Sequence, residues 1–214
     1  MTHETVTPED IPVKKRRGRP VKSNSAETRI RLIDSARHVF AERGFDRATV
    51  GEICKGADIV GSAFYRYYPD KESLYEAVFN ASIIRLWDLL HMSTVNQRTA
   101  RDALTALVAT AERAGDSLPW YSEFLTALPI ETYRNARFAP LLEQRTNMQR
   151  RTFEHIARLG RESGEFSEFR PQGEFAEHLR LTVMGWLVER NLNIAPVRVG
   201  SEGLLHLIGL GSVS

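Results

Sequence analysis

The sequence predicts an all-α protein: a small N-terminal helical unit joined to a larger helical body. Three observations carry this. Apolar residues recur at three- and four-residue spacing along most of the 214 residues. The period-two alternation of a half-buried strand is absent. Pro119, Pro140, Pro171 and Pro196 stand at helix starts or in the loops before them. The length suffices for a full core, divided into residues 1–25, an arm, 26–80, a helical head, and 81–214, a helical body.

Charge is distributed unevenly. Lys14, Lys15, Arg16, Arg17, Arg19 and Lys22 follow one another without an acidic residue, whereas residues 81–214 hold 15 Arg, no Lys and 15 Asp plus Glu. The net charge of +2 therefore conceals a positive end, as expected of a chain that meets a polyanion at that end. The one cysteine, Cys54, excludes an intramolecular disulfide and fits a reducing cytoplasm. The polar, then basic N-terminus lacks the apolar stretch of a signal peptide, and no apolar run is long enough to span a membrane.

The arm, rich in Pro and Gly with little apolar periodicity, reads as disordered. Its core, Lys14–Pro20, resembles an AT-hook. Arg16, Arg17, Gly18, Arg19 and Pro20 would lie along a narrow minor groove, where clustered Arg suits the strong negative potential. The alternative is a tail that attracts phosphates without reading sequence.

From Ala26 to Arg43, Ile30, Ile33, Ala36 or Arg37, and Phe40 recur at helical spacing, widened by Leu32 and Val39. Gly44 and Phe45 are expected to close this helix in a Schellman arrangement. Thr49 and Glu52 have the spacing of a capping box, so a short helix starts at Thr49 and ends near Lys55 or Ala57, where Gly56 and Asp58 favour a left-handed turn. A second short helix follows, burying Ile59, Ala63, Phe64 and Tyr67 and exposing Gly61, Ser62, Tyr65 and Arg66. The exposed face is small, hydroxylated or basic and free of carboxylates, which suits entry into a major groove. Pro69 stops this helix. Asp70 offers the N-cap of a long one through about His91, with stripes Leu74, Val78, Ala81, Ile84 and Tyr75, Phe79, Ile83, Leu86, Leu90.

Phe40, Gly44-Phe45, Thr49-Val50, Ile53, Ala57, Phe64-Tyr65 and Lys71 occur in the order and spacing of one DNA-binding domain, so residues 28–79 resemble the tetracycline-repressor-like (TetR) family of bacterial transcriptional regulators. The resemblance implies a helix-turn-helix in which Thr49 and Lys71 meet phosphates and Tyr65 lies on the recognition helix. Val60, Gly61, Ser62 and Arg66 complete the candidate DNA contacts. Three positions depart from the family's usual Gly, Ser and Gly: Asp58, Val60 and Ser62. Asp tolerates the left-handed turn. Val60 lacks the capping hydroxyl, a loss of about 1 kcal/mol, so the reading helix is expected to fray when free.

In the body, helices are expected over 97–113, 119–133 (kinked near Pro129), 140–163, 172–191 and 201–210. Phe175, Leu179, Val183 and Trp186 share one face of the penultimate helix. Leu181, Met184 and Val188, with Leu204, Leu205 and Ile208, add apolar surface beyond what one protomer needs. The resemblance implies a homodimer there, built as a four-helix bundle; the alternative is a purely intramolecular core. Trp87, His91, Trp120, Tyr121, Phe124, Tyr133, Met148, Phe153 and Trp186 are candidates to line an apolar cavity for a small molecule, or simply core. The six histidines are scattered without a metal-ligand spacing, so no metal is expected. No phosphate loop, dinucleotide fingerprint or nucleophile elbow occurs, so neither cofactor nor catalysis is expected.

The expected function is therefore a cytoplasmic, homodimeric regulator that is most simply a repressor, binding a palindromic operator and released by a small apolar or aromatic effector. An all-α ligand-binding protein or enzyme, and a sequence-tolerant nucleoid-type binder using the arm, are the competing classes.

Overall fold

The computed structural model describes residues 25–117, 127, 130–166, 172–192 and 199–210; the arm lies outside these. The regular elements of the described residues are all helices, with no strand among them. Helix α1 spans Ser25–Arg47, α2 Val50–Gly56, α3 Gly61–Phe64 and α4 Lys71–Phe79. A π-helical turn, Asn80–Ile84, joins α4 to α5, Arg85–Val95. After α6, Ala100–Ser117, come a helical segment at 130–134 and a 3-10 turn, Ala136–Phe138. The long helices α7, Ala139–Glu162, and α8, Gln172–Leu192, pack against each other, and α9, Ser201–Leu207, lies on α6.

The head packs α1 against α2 and α4. Its buried stripe on α1 is Thr28, Leu32, Ala36 and Phe40: Leu32, Ala36 and Phe40 as expected, with Thr28 buried where Ile30 is not. Ile30 is exposed and Ile33 half-buried, because the partner helices lie on the Leu32 side. The close approach of α1 and α2 depends on Gly56. A Cβ there would lie 2.3 Å from the Ser35 hydroxyl oxygen, and that hydroxyl donates to the Ile53 carbonyl at 2.8 Å.

Gly44 takes a positive φ as expected, but at φ 72°, ψ 170°, outside the left-handed helical region. No Schellman turn forms. The Phe45 N–H donates instead to the Glu131 carboxylate at 3.0 Å, and the chain runs on helically to Arg47. Only a residue without Cβ takes such a backbone readily. Asp58, at φ 52°, supplies the left-handed turn between α2 and α3, while Gly56 stays helical.

The expected long helix from Lys71 forms and reaches Val95, interrupted by the π turn. Tyr75, Phe79, Ile83, Leu86 and Leu90 are all buried, and Ala81 and Ile84 only partly so. The wider turn also places Ser82 inside, where its hydroxyl accepts from Arg37 Nε at 2.9 Å. The expected boundary at residue 80 thus falls on the first residue of that turn. The kink expected at Pro129 lies outside the described residues.

Gly56→Ala is expected to lower stability by about 1–3 kcal/mol through overpacking against Ser35. Urea unfolding of the full chain measures it. Gly61, with open space around its Cα, should accept Ala without loss of stability.

Candidate nucleic-acid interface

The interface is built on a capped scaffold. Thr49 closes the expected capping box: its hydroxyl accepts from the Glu52 N–H at 3.2 Å and donates to the Glu52 carboxylate at 2.7 Å, and its own N–H donates there at 3.1 Å. These bonds, with Arg43 at 3.2 Å, hold the Glu52 carboxyl below its usual pKa, so it stays ionised but neutralised by its neighbours. Thr49 remains exposed at the surface.

Helix α3 has only four residues, and its N-cap Val60 makes no side-chain capping bond, as expected from the missing hydroxyl. Fully buried Phe64 anchors it, packing edge-on to Tyr65 at 5.2 Å. Gly61, Ser62, Tyr65 and Arg66 face solvent together, as their spacing predicts, with Val60 and Tyr65 71% and 64% exposed. Tyr67 is half-buried and Tyr68 buried, and Arg29 of α1 sits over both rings at 6.0 and 5.9 Å. The Arg29 guanidinium beside α3 was not apparent from spacing, since it comes from a helix face that otherwise reads as solvated.

Lys71 behaves differently from its expected role. Its ammonium donates to the carbonyls of Phe45 at 2.7 Å and Ala48 at 2.8 Å, reaches that of Asp46 at 3.5 Å, and lies 4.4 Å from the centre of the Phe45 ring. All three donors are directed inward, so Lys71 clamps the end of α1 to the start of α4. At the same helix start, Asp70 accepts from the Ser73 N–H at 2.7 Å and pairs with Arg137 at 3.1 Å. The Ser73 bonds, then Arg137, draw the Asp70 carboxyl down to about 2.

The cavity candidates among the described residues lie in different surroundings. Trp120, Tyr121 and Phe124 lie outside the described residues. Trp87 and Phe153 are fully buried core, and Tyr133 is 93% exposed, so it lines nothing. Trp186 is half-buried and donates its indole N–H to the Val199 carbonyl at 2.6 Å. Met148 lines an open cavity of about 420 Å³ with Pro140, Glu143, Gln144, Asn147 and Arg151. His91 bonds the Thr152 hydroxyl at 3.2 Å, and His155 bonds the Thr94 carbonyl at 3.3 Å. The equal offset of both pairs shows that α5 and α7 run parallel, with a polar seam where apolar lining was expected. Burial, then Arg151 and His155, holds the His91 imidazole below its usual pKa. No group of three metal-ligating side chains occurs among the described residues.

The interface residues divide likewise. Leu204 and Leu205 are buried within the protomer, packed with the core that includes α6, and so are unavailable to a partner. Ile208 is half-buried. Leu181, 54% exposed, remains on the outer side of α8 with half-buried Met184 and Val188.

Because the Asp70 carboxyl is depressed in the folded chain, its capping contribution is present above its unfolded pKa of about 3.9 and lost as pH falls toward about 2. Asp70→Asn should flatten stability against pH over that interval, measured by unfolding at stepped pH. Lys71→Ala should cost about 1–3 kcal/mol, since it leaves the Phe45 and Ala48 carbonyls without their donor; Tyr65→Ala should change stability by less than about 0.5 kcal/mol.

Residues 32–78 match the model of the bacterial regulatory proteins of the tetR family. The transcriptional repressor KstR2 of Rhodococcus jostii is 30% identical over 95 residues, covering 44% of this chain and 47% of KstR2. The regulator AcrR of Shigella flexneri is 30% identical over 71 residues, 33% of each chain. The matched stretch thus spans less than half the length of these relatives. Two solved structures share the fold over 86% of this chain: FadR of Bacillus subtilis in complex with stearoyl-CoA, at TM-score 0.71, 18% identity and 98% of its own length, and a regulator from Saccharomonospora viridis in complex with choline, at TM-score 0.72, 16% identity and 94% of its length. No described helix is long and apolar enough to cross a membrane. The capped α2, the left-handed turn at Asp58 and the exposed face of α3 all lie inside the matched residues, so residues 32–78 form a DNA-binding head of the tetR family of bacterial regulatory proteins.

Proposed function

We propose that the chain is a ligand-responsive transcriptional repressor that binds a palindromic operator as a homodimer and releases it when a small effector occupies the body. The observation that carries the DNA-binding part is the strip Val60, Gly61, Ser62, Tyr65 and Arg66, exposed and free of carboxylates, on an anchored helix. Of the carboxylates flanking the strip, Glu52 and Asp70 are each engaged by an arginine, while Asp58, in the turn before α3, is exposed. Phosphate contacts would place the head and the strip would read base edges. Arg16, Arg17, Gly18, Arg19 and Pro20 of the arm would add contacts in the adjoining minor groove.

Dimerisation is supported by exposed Leu181, with Met184 and Val188 half-buried on the same helix, α8. Ligand response is supported by the fold relatives, whose structures contain stearoyl-CoA and choline in one case each. The His91–Thr152 seam favours an effector with some polar character beside any apolar or aromatic part. Effector binding would shift the protein only as far as its differential affinity for the two states.

Duplexes selected by the full chain from a random pool provide the test. In gel shifts, Tyr65→Ala and Arg66→Ala should each weaken the selected duplex by about tenfold or more. Removing residues 1–22 should flatten the salt dependence of binding, since fewer counterions are released. Equal binding of selected and random duplexes would overturn the repressor reading in favour of a sequence-tolerant binder.

A further inference from the structure

We propose that residues 131–138 form a rigid strap by which the body fixes the angle of the DNA-reading head, with Glu131 and Arg137 as its two positioning residues. The proposal rests on the dimeric DNA-binding reading above. Head and body meet at several points, but this short segment reaches both ends of the scaffold that carries α3.

At the first end, Glu131 is 5% exposed and accepts the Phe45 N–H at 3.0 Å; its second carboxylate oxygen is buried without a hydrogen-bond partner. A Cβ on Gly44 would lie 3.2 Å from the bonded oxygen, so the unusual backbone at Gly44 is what admits the carboxylate to the Phe45 amide. Arg134 pairs with Asp46 at 3.3 Å just outside. At the second end, Arg137 pairs with Asp70 at 3.1 Å and Glu76 at 3.0 Å and donates to the Ser73 hydroxyl at 3.0 Å, gripping the first turns of α4. Phe138 packs beside them, edge-on to Phe45 at 4.9 Å and tilted against Tyr75 at 4.5 Å.

The strap is stiff between its ends. The Asn135 N–H donates to the Glu131 carbonyl at 2.8 Å, the Asn135 side chain accepts from the Arg137 N–H at 3.1 Å, and the Phe138 N–H donates to the Asn135 carbonyl at 3.0 Å. A half-satisfied buried carboxylate makes the docked arrangement less secure than a full complement of bonds would. Holding at two points fixes an angle, where one point would leave a pivot. In a dimer that angle sets the distance between the two reading helices, and hence the half-site spacing the protein accepts. A cavity of about 670 Å³ beside the first end, lined by Phe40, Gly44, Ile130 and Glu131 among others, leaves room for the strap to move away from α1.

The test uses the full chain and the duplex it selects, together with the same duplex carrying two base pairs inserted between the half-sites. Wild type should lose about tenfold or more on insertion, comparable to a mismatched base pair. Glu131→Ala and Arg137→Ala should cut that loss to below about threefold, because loosened heads adapt to the wider spacing. Glu131→Gln keeps an acceptor for the Phe45 amide and should retain most of the wild-type discrimination. Half-exposed Arg137 can be replaced without threatening the core, so it carries the test should Glu131→Ala fail to fold. Unchanged discrimination in Arg137→Ala, whatever its affinity, overturns the strap. Wild type that selects no two-part duplex instead overturns the dimeric reading on which the strap rests.

Discussion

The placement of α3 depends on Phe45. Its N–H is held by Glu131, its carbonyl by the Lys71 ammonium, and its ring by Phe40, Tyr75 and Phe138 at 6.0, 5.3 and 4.9 Å. Aromatic contacts of this geometry are worth about 0.5–1.5 kcal/mol each beyond the area they bury. One residue at the end of α1 is thereby fixed by the body through its amide and by α4 through its carbonyl. Helices α2 and α3 follow directly, so their position relative to the body is inherited from this point. Lys71, for which the family resemblance implies a phosphate contact, serves the same junction from within.

How much of this was legible in the sequence depended on the range of each interaction. The capping box of Thr49 and Glu52, the Asp70 cap and the missing cap at Val60 were readable because each is settled within three residues. The need for glycine at position 44 was readable, but its reason was not. The Phe45 amide finds its partner 86 residues further on, where local turn chemistry has no reach. On α1 the sequence placed Leu32, Ala36 and Phe40 inward but also Ile30, because Ile30 and Leu32 are equally apolar and only the direction of α2 and α4 separates them. The π turn at Asn80–Ile84 left no trace in the spacing, since both stripes of the long helix continue through it.

The body shows the same division. Its long helices follow their apolar periods, but which side of each helix meets a neighbour is a matter of tertiary arrangement. Leu204 and Leu205 turn inward on α6, whereas Leu181 stays outside. Trp87 and Phe153 fill the core rather than a cavity, and the parallel pairing of α5 with α7 brings histidine to threonine where aromatic lining was expected. Glu165 shows how far such links reach: its carboxylate accepts from the N–H groups of Ala100 and Arg101 at 2.6 and 3.2 Å, tying the end of α7 to the start of α6.

The short α3 separates two demands that most binding surfaces must meet together. Apart from Phe64, the residues from Val60 to Arg66 contribute little to holding the head, and the space around Gly61 is open. Side chains there can be exchanged almost without reference to folding. If α3 is the DNA contact proposed above, a lineage carrying this scaffold is free to change which sequence it reads by successive single substitutions, each passing through a stable protein.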